Sequence, residues 1–377
     1  MSAVLVTGGA GYIGSHVCKA LAEAGLTPVC YDTLEKGHRW AVRWGPLEQG
    51  DIGDAERLDE AFGRHKPRAI VHLAGYIEVG ESVREPERYL HNNATKTAPL
   101  IDAAMRHGVE AFVFSSTCAV YGVPQSELLS ESHAIAPLSP YAESKARVET
   151  ALTQAASGGL RAASLRYFNA AGADAGGEIG EAHQPETHLL PLAVDAALGL
   201  APPLTLLGTD YPTVDGSCVR DFIHVSDLAD AHVRALHWLR KQPASGLHEA
   251  FNLGSGSGFS VRQAIAETAR IGGRPLLYER APIRPHLSTG VGQQGLQAKW
   301  LAAADADLEP VIAAGMVAQD HHVGEDLPRR VVAPHHEEHQ HHVRPAARRH
   351  GRILGERPAA RADGEAGLQC RMVAQAR

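Results

Sequence analysis

The chain has 377 residues, room for one large domain with a satellite or for two domains, and its 44% hydrophobic and 21% charged residues are those of a soluble globular protein. A formal net charge of −7 gives no reason to expect a nucleic-acid or anionic-membrane partner, and no run of about 18 apolar residues predicts a transmembrane helix. The N-terminus lacks a basic-then-apolar leader, and the five scattered cysteines contain no CxxC pair, so reduced thiols in a cytoplasmic protein are expected.

Short apolar runs at 4–6, 28–31, 69–73, 111–115 and 162–166 read as buried strands. Between them, 12–24, 55–64, 92–107 and 139–156 have helical length and apolar spacing. This alternation predicts an α/β fold, a Rossmann-like doubly wound parallel sheet with helices on both faces. From about 167 to 212 the pattern loosens into Gly-, Pro- and Asp-rich loops, as in a substrate-capping region, before two further helices at 224–240 and 261–271. The expected division is 1–166 as the nucleotide-binding domain, 167–282 as a smaller C-terminal substrate-capping region that partly returns to it, and 283–377 as a tail.

The run Val4-Leu5-Val6-Thr7-Gly8-Gly9-Ala10-Gly11-Tyr12-Ile13-Gly14 is a strand, a Gly-rich turn and a helix start. Glycine permits the tight turn, lets backbone approach a pyrophosphate and lets the helix pack on the strand. The helix N-terminus offers free N–H groups and a positive dipole end. Asp32 closes the second strand 18 residues beyond Gly14, near where a carboxylate would bind the adenosine ribose. Its charge would repel a 2′-phosphate, so the expected cofactor is NAD. Asp51 and Ile52 follow a third strand where adenine would lie, although a turn or helix cap explains Asp51 equally well.

Tyr141 and Lys145 stand at i and i+4, on one face of a helix. A free phenol titrates at about 10 and is a weak base at neutral pH; a nearby ammonium and an oxidised nicotinamide both favour its anion. Thr117 ends a strand about 25 residues earlier and points a hydroxyl towards the same crevice.

These motifs resemble the extended short-chain dehydrogenase/reductase family. Six more strings narrow the resemblance to its UDP-glucose 4-epimerase branch over residues 1–282: His72-Leu73-Ala74-Gly75, Val79-Gly80-Glu81-Ser82-Val83, Arg166-Tyr167-Phe168-Asn169, Gly208-Thr209-Asp210-Tyr211-Pro212-Thr213, Val219-Arg220-Asp221-Phe222-Ile223-His224-Val225 and Asn252-Leu253-Gly254-Ser255-Gly256. The resemblance implies reversible inversion at C4 of a UDP-hexose through a 4-keto sugar, with NAD retained. It implies Tyr141 as the proton acceptor, Thr117 on the reacting oxygen and Lys145 on the nicotinamide ribose. Cofactor contacts fall on Gly8, Gly11, Tyr12, Ile13, Gly14, Asp32, Asp51, Ile52, Ala74, Asn92 and Lys145. Substrate contacts fall on Thr117, Tyr141, Asn169, His188, Leu189 and Arg220. A homodimer through the helices at 92–107 and 141–156 is implied as well. A 4,6-dehydratase is disfavoured because Cys118-Ala119 follow Thr117, where such enzymes carry Asp-Glu.

After Pro282 the resemblance stops. The family continues there with an Arg-rich stretch ending in Gly-Asp that grips the diphosphate and uridine ribose, whereas this chain reads Ile283-Arg284-Pro285-His286-Leu287. Residues 283–377 hold 9 of the 22 histidines, with the cluster His335-His336-Glu337-Glu338-His339-Gln340-His341-His342. Such a break is what an out-of-frame or disordered C-terminus gives, and the cluster reads as a solvated polar tail; no metal site is expected. The alternatives carried forward are an impaired NAD-binding relative with reduced UDP-sugar affinity, and a UDP-pentose or UDP-N-acetylhexosamine 4-epimerase.

Overall fold

Runs such as Val4-Leu5-Val6 and Phe112-Val113-Phe114 place apolar side chains on both sides of the pleat, which suits strands covered on both faces. The computed structural model describes residues 2–124, 129–243 and 246–282. The first half alternates β1 (Ala3–Thr7), α1 (Tyr12–Glu23), β2 (Thr27–Asp32), β3 (Leu47–Gln49), α2 (Ala55–His65) and β4 (Ala69–His72). Next come α3 (Val79–Arg84), α4 (Pro86–Leu90), α5 (Thr97–Arg106), β5 (Ala111–Thr117), α6 (Pro140–Ser157) and β6 (Arg161–Tyr167). The second half adds β7 (Asn169–Ala171), α7 (Leu189–Leu198), β8 (Leu204–Leu207), β9 (Val219–Arg220) and β10 (Phe222–His224). It ends with α8 (Val225–Lys241), β11 (Leu247–Leu253), β12 (Phe259–Ser260), α9 (Val261–Gly272) and β13 (Tyr278–Ala281).

Seven strands form one parallel sheet in the order β3-β2-β1-β4-β5-β6-β11. Alternation within β1 sorts the two cores. Val4 and Val6 join Val17 and Leu21 of α1 and Leu228 and Leu236 of α8 on one face. Leu5 joins Leu58 and Phe62 of α2, Leu100 of α5 and Val148 and Leu152 of α6 on the other. The chain progression reverses between β1 and β4, and ligands of such sheets bind in the crevice beyond the strand ends there.

The expectation of loops over 167–212 needs correction. That stretch contains β7, α7 and β8, and α7 packs on α9 through Ala193, Ala197 and Ile265. Leu190 and Val194 pack with Phe222 and Ala264 in a second small core. The Gly- and Pro-rich flanks hid a ten-residue helix whose apolar positions serve this satellite. A second correction concerns the helix expected over 92–107. A π-helical turn at His91–Thr95 precedes α5 and leaves Asn93 2% exposed. β11 was not expected either: as an edge strand it buries only its last residues fully. The tail at 283–377, with Arg284 and the histidine cluster, lies outside the described residues.

Candidate active site

The nucleotide turn is built from glycines with separate tasks. Gly8 adopts φ 72 and donates its N–H to Tyr31 O at 2.9 Å, and a Cβ there would meet Ala74 N at 2.7 Å. A Cβ on Gly14 would stand 2.0 Å from Gly8 O, so this glycine allows α1 to pack on the turn. Gly11 differs: its added Cβ would meet only Gly8 O, at 3.3 Å, and otherwise enter open space. Gly11 is also the N-cap of α1, with no side-chain capping bond and no acid in the first turn. The N–H groups of Tyr12 and Ile13 therefore start a helix free to receive an anion. At the end of β2, Asp32 accepts the Ala10 N–H at 3.0 Å and the Leu34 N–H at 2.8 Å. Burial raises its pKa, and those two bonds hold it down. A bare helix start, a glycine cradle that a methyl group would fill and a carboxylate at the next strand end fit NAD.

The other expected cofactor positions surround this turn. Ala74 touches Gly8, and Ile52 is buried. The Asp51 carboxylate pairs with Lys96 at 2.5 Å and accepts the Gly53 N–H at 2.8 Å, while its carbonyl accepts the Tyr31 hydroxyl. Asn92 donates to Asn93 Oδ1 at 3.1 Å. Asn93 was not singled out in the sequence. It bonds the Tyr76 N–H and carbonyl and the Ser144 hydroxyl, tying the segment after β4 to α6 beside Lys145.

The structure brings Thr117, Tyr141 and Lys145 together. Ser139 caps α6 by accepting the Ala142 N–H at 3.2 Å, and Pro140 occupies the first turn. Tyr141 and Lys145 then project from one face towards the end of β5. Thr117 Oγ1 accepts the Ala119 N–H at 3.2 Å, and its hydroxyl lies close enough to the Tyr141 phenol to lower that group's pKa. Lys145 Nζ donates to the Ser115 carbonyl at 2.9 Å and lies 5.9 Å from the Tyr141 ring centroid.

Burial dominates the electrostatics of Tyr141 and Lys145. Burial pushes the Tyr141 phenol up to about 12, and the Thr117 hydroxyl opposes it. Burial also pulls the Lys145 ammonium down to about 8. Desolvation outweighs the Thr117 contribution, which favours the phenolate.

Asn169 donates Nδ2 to Asp221 O at 2.8 Å, which leaves its own Oδ1 free of that bond. Arg220 lies in β9 and, among the described residues, has no carboxylate within ion-pair reach. His188 is the N-cap of α7, and Leu189 is its first residue. The His188 imidazole is turned to Glu181 and Glu186, with Nδ1 2.6 Å and 3.4 Å from their carboxylates.

One buried network escaped the sequence reading. Arg166 donates Nε and Nη2 to Glu149 at 2.9 Å and 2.5 Å and Nη1 to Tyr121 at 2.8 Å. Ser116 donates to the same carboxylate at 2.6 Å, and Tyr121 donates to Asn252 at 2.6 Å. Its only signal in the sequence was that Glu149 continues the i, i+4 series of Tyr141 and Lys145.

Residues 4–254 match the NAD dependent epimerase/dehydratase family, and the chain belongs to that family. Its nucleotide turn, Thr117 and the Tyr141–Lys145 pair all fall within that span. The chain is 54% identical over 277 residues to the UDP-glucose 4-epimerase of Rhizobium leguminosarum bv. trifolii, which covers 73% of this chain and 84% of the relative. The solved UDP-glucose 4-epimerase of Brucella ovis in complex with NAD is 42% identical, with a TM-score of 0.78, over 84% of this chain and 99% of that one. The Stenotrophomonas maltophila enzyme with bound NAD and formylated UDP-arabinopyranose is 34% identical, with a TM-score of 0.79, over 86% and 99%.

Proposed function

We infer that this chain catalyses the reversible C4 epimerisation of UDP-glucose and UDP-galactose through a 4-keto sugar. The observation that carries this reading is the convergence of Thr117 and Tyr141 beside an anchored Lys145, within a chain whose relatives bear that activity. When bound, NAD supplies the reversible hydride acceptor for C4 and, while oxidised, a positive charge beside the site. Tyr141 takes the C4 hydroxyl proton on its phenolic oxygen and returns it after the sugar has turned its other face. Thr117 orients that oxygen and favours the phenolate. Lys145, fixed by the Ser115 carbonyl, holds the nicotinamide ribose.

Asp32 binds the adenosine ribose, the Tyr12 and Ile13 N–H groups take the pyrophosphate, and Asp51, Ile52, Ala74 and Asn92 complete the cofactor cleft. Asn169, Leu189 and Arg220 hold the UDP part of the substrate, Arg220 through charge on the diphosphate. His188 contributes the start of α7. We place the chain in the cytoplasm, supported by four buried free thiols and by the absence, among the described residues, of any helix long and apolar enough to cross a membrane. We assign a homodimer through α5 and α6, which sedimentation of the purified chain tests.

Conversion of UDP-galactose to UDP-glucose by the purified chain tests the activity, with Tyr141→Phe as control. Turnover that the substitution abolishes is expected. Turnover undiminished in Tyr141→Phe, or an intact chain that binds NAD yet turns over neither sugar, overturns the reading.

A further inference from the structure

The loop between β7 and α7 carries Glu181, His183, Glu186 and His188, a Glu-x-His-x-x-Glu-x-His pattern of which the reaction above draws only on His188, at the start of α7. One potential ligand atom from each lies within 4.8 Å of all the others. His183 Nδ1 is 3.1 Å from Glu181 Oε1 and 3.7 Å from Glu186 Oε2. His188 Nδ1 is 2.6 Å from Glu181 Oε1 and 3.4 Å from Glu186 Oε1. Four ligands at the usual zinc–nitrogen and zinc–oxygen lengths stand about 3.3 Å apart at the corners of a tetrahedron, within the range of these separations.

The orientation of the imidazoles separates a metal site from ordinary ion pairs. Both Nδ1 atoms are withdrawn from solvent, yet neither has a hydrogen bond of acceptable angle to the carboxylates beside it. An N–H that pairs with a carboxylate points at an oxygen; a lone pair that shares a cation points between the ligands. Glu186 Oε1 is held by the N–H groups of Thr187 and His188 at 2.7 Å and 2.8 Å, the type of outer-sphere support that fixes a ligating carboxylate. The cleft along Gly11, Tyr12, Lys36 and His38 reaches His183 and gives an ion a way in.

We propose that Glu181, His183, Glu186 and His188 form a four-ligand site for a divalent transition-metal ion of the zinc type. Two carboxylates balance the ion's charge, and two imidazoles favour zinc over magnesium or calcium. With all four positions filled by the protein, the site is structural. It clamps the loop that leads into α7, and the Tyr12 ring lies edge-on to His183 with centroids 6.3 Å apart. The ion therefore ties the start of α7 to the nucleotide turn.

The test is a titration of the full-length chain, stripped with a chelator, with Co2+ and then Zn2+. Visible absorption bands of tetrahedral Co2+ that Zn2+ displaces are expected, with about one equivalent retained after desalting. His183→Ala with His188→Ala should lose the bands and that equivalent. Glu181→Gln, the milder change, should weaken Co2+ at least tenfold. A third chain with His335, His336, His339, His341 and His342 all changed to Asn should keep the bands. Bands that survive the His183/His188 substitutions, an unchanged affinity in Glu181→Gln, or bands that vanish with the tail histidines overturn the assignment.

Discussion

Glu149 and Arg166 form a buried two-contact ion pair that joins the helix of Tyr141 and Lys145 to the strand beside Thr117. Each side chain is 8% exposed, and Glu149 lies one turn beyond Lys145 on the same face. The pair sets the height of α6 against β6, so it positions the phenol without touching a reactant.

Removing one partner leaves a buried charge without compensation. Glu149→Ala is expected to lower unfolding stability by roughly 3–5 kcal/mol in urea titrations. Glu149→Leu combined with Arg166→Met should recover most of that loss, because it removes both charges together. A loss below about 1 kcal/mol in the single variant would contradict this account.

Thr117→Val removes the hydroxyl that favours the Tyr141 phenolate. The phenol's pKa then rises further, so the acid limb of the kcat profile moves to higher pH. At neutral pH kcat should drop by roughly ten- to a hundredfold, with KM less affected. A pH profile that falls uniformly without moving would assign Thr117 to sugar orientation alone.

Lys145 is held at about 8 against its ordinary 10.5 by burial. Between those pH values the folded chain binds fewer protons than the unfolded one, so this residue makes stability rise with pH there, and its full cost applies below about 8. Lys145→Met should therefore stabilise the cofactor-free chain at pH 7, by on the order of 3 kcal/mol, while abolishing turnover. The gain should shrink as pH rises from 8 towards 10. Thermal unfolding of both chains across that range measures it, and a pH-independent difference would rule out the charge as the cause.

Gly11 and Gly14 should respond in opposite ways to the same methyl group. Gly14→Ala places it against Gly8 O and should lower Tm by several degrees or more. Gly11→Ala meets only open space and a 3.3 Å contact, so Tm should stay within a few degrees while NAD affinity falls at least tenfold. Equal affinity in Gly11→Ala and the parent would move the pyrophosphate away from this turn.

Central strands, the glycine turn, Asp32 and the Tyr141–Lys145 pair were legible in the sequence because each follows from local rules. A strand buried on both faces must be apolar throughout, a phosphate cradle needs glycine, and i, i+4 spacing fixes a helix face. The edge strand β11, the π turn that buries Asn93, helix α7 and the Glu149–Arg166 pair were not legible. Leu247–Leu253 is mostly part-buried and lacks a clear alternation, and Asn93 is chosen over Asn92 only by the contacts of Tyr76 and Ser144. Glu149 and Arg166 are 17 positions apart and meet because α6 packs across β6. The sequence by itself determined which chemistry the chain carries. Only the tertiary structure decided how far burial shifts Tyr141 and Lys145, and that the four side chains of the 181–188 loop converge, because desolvation and convergence depend on what surrounds a group in space.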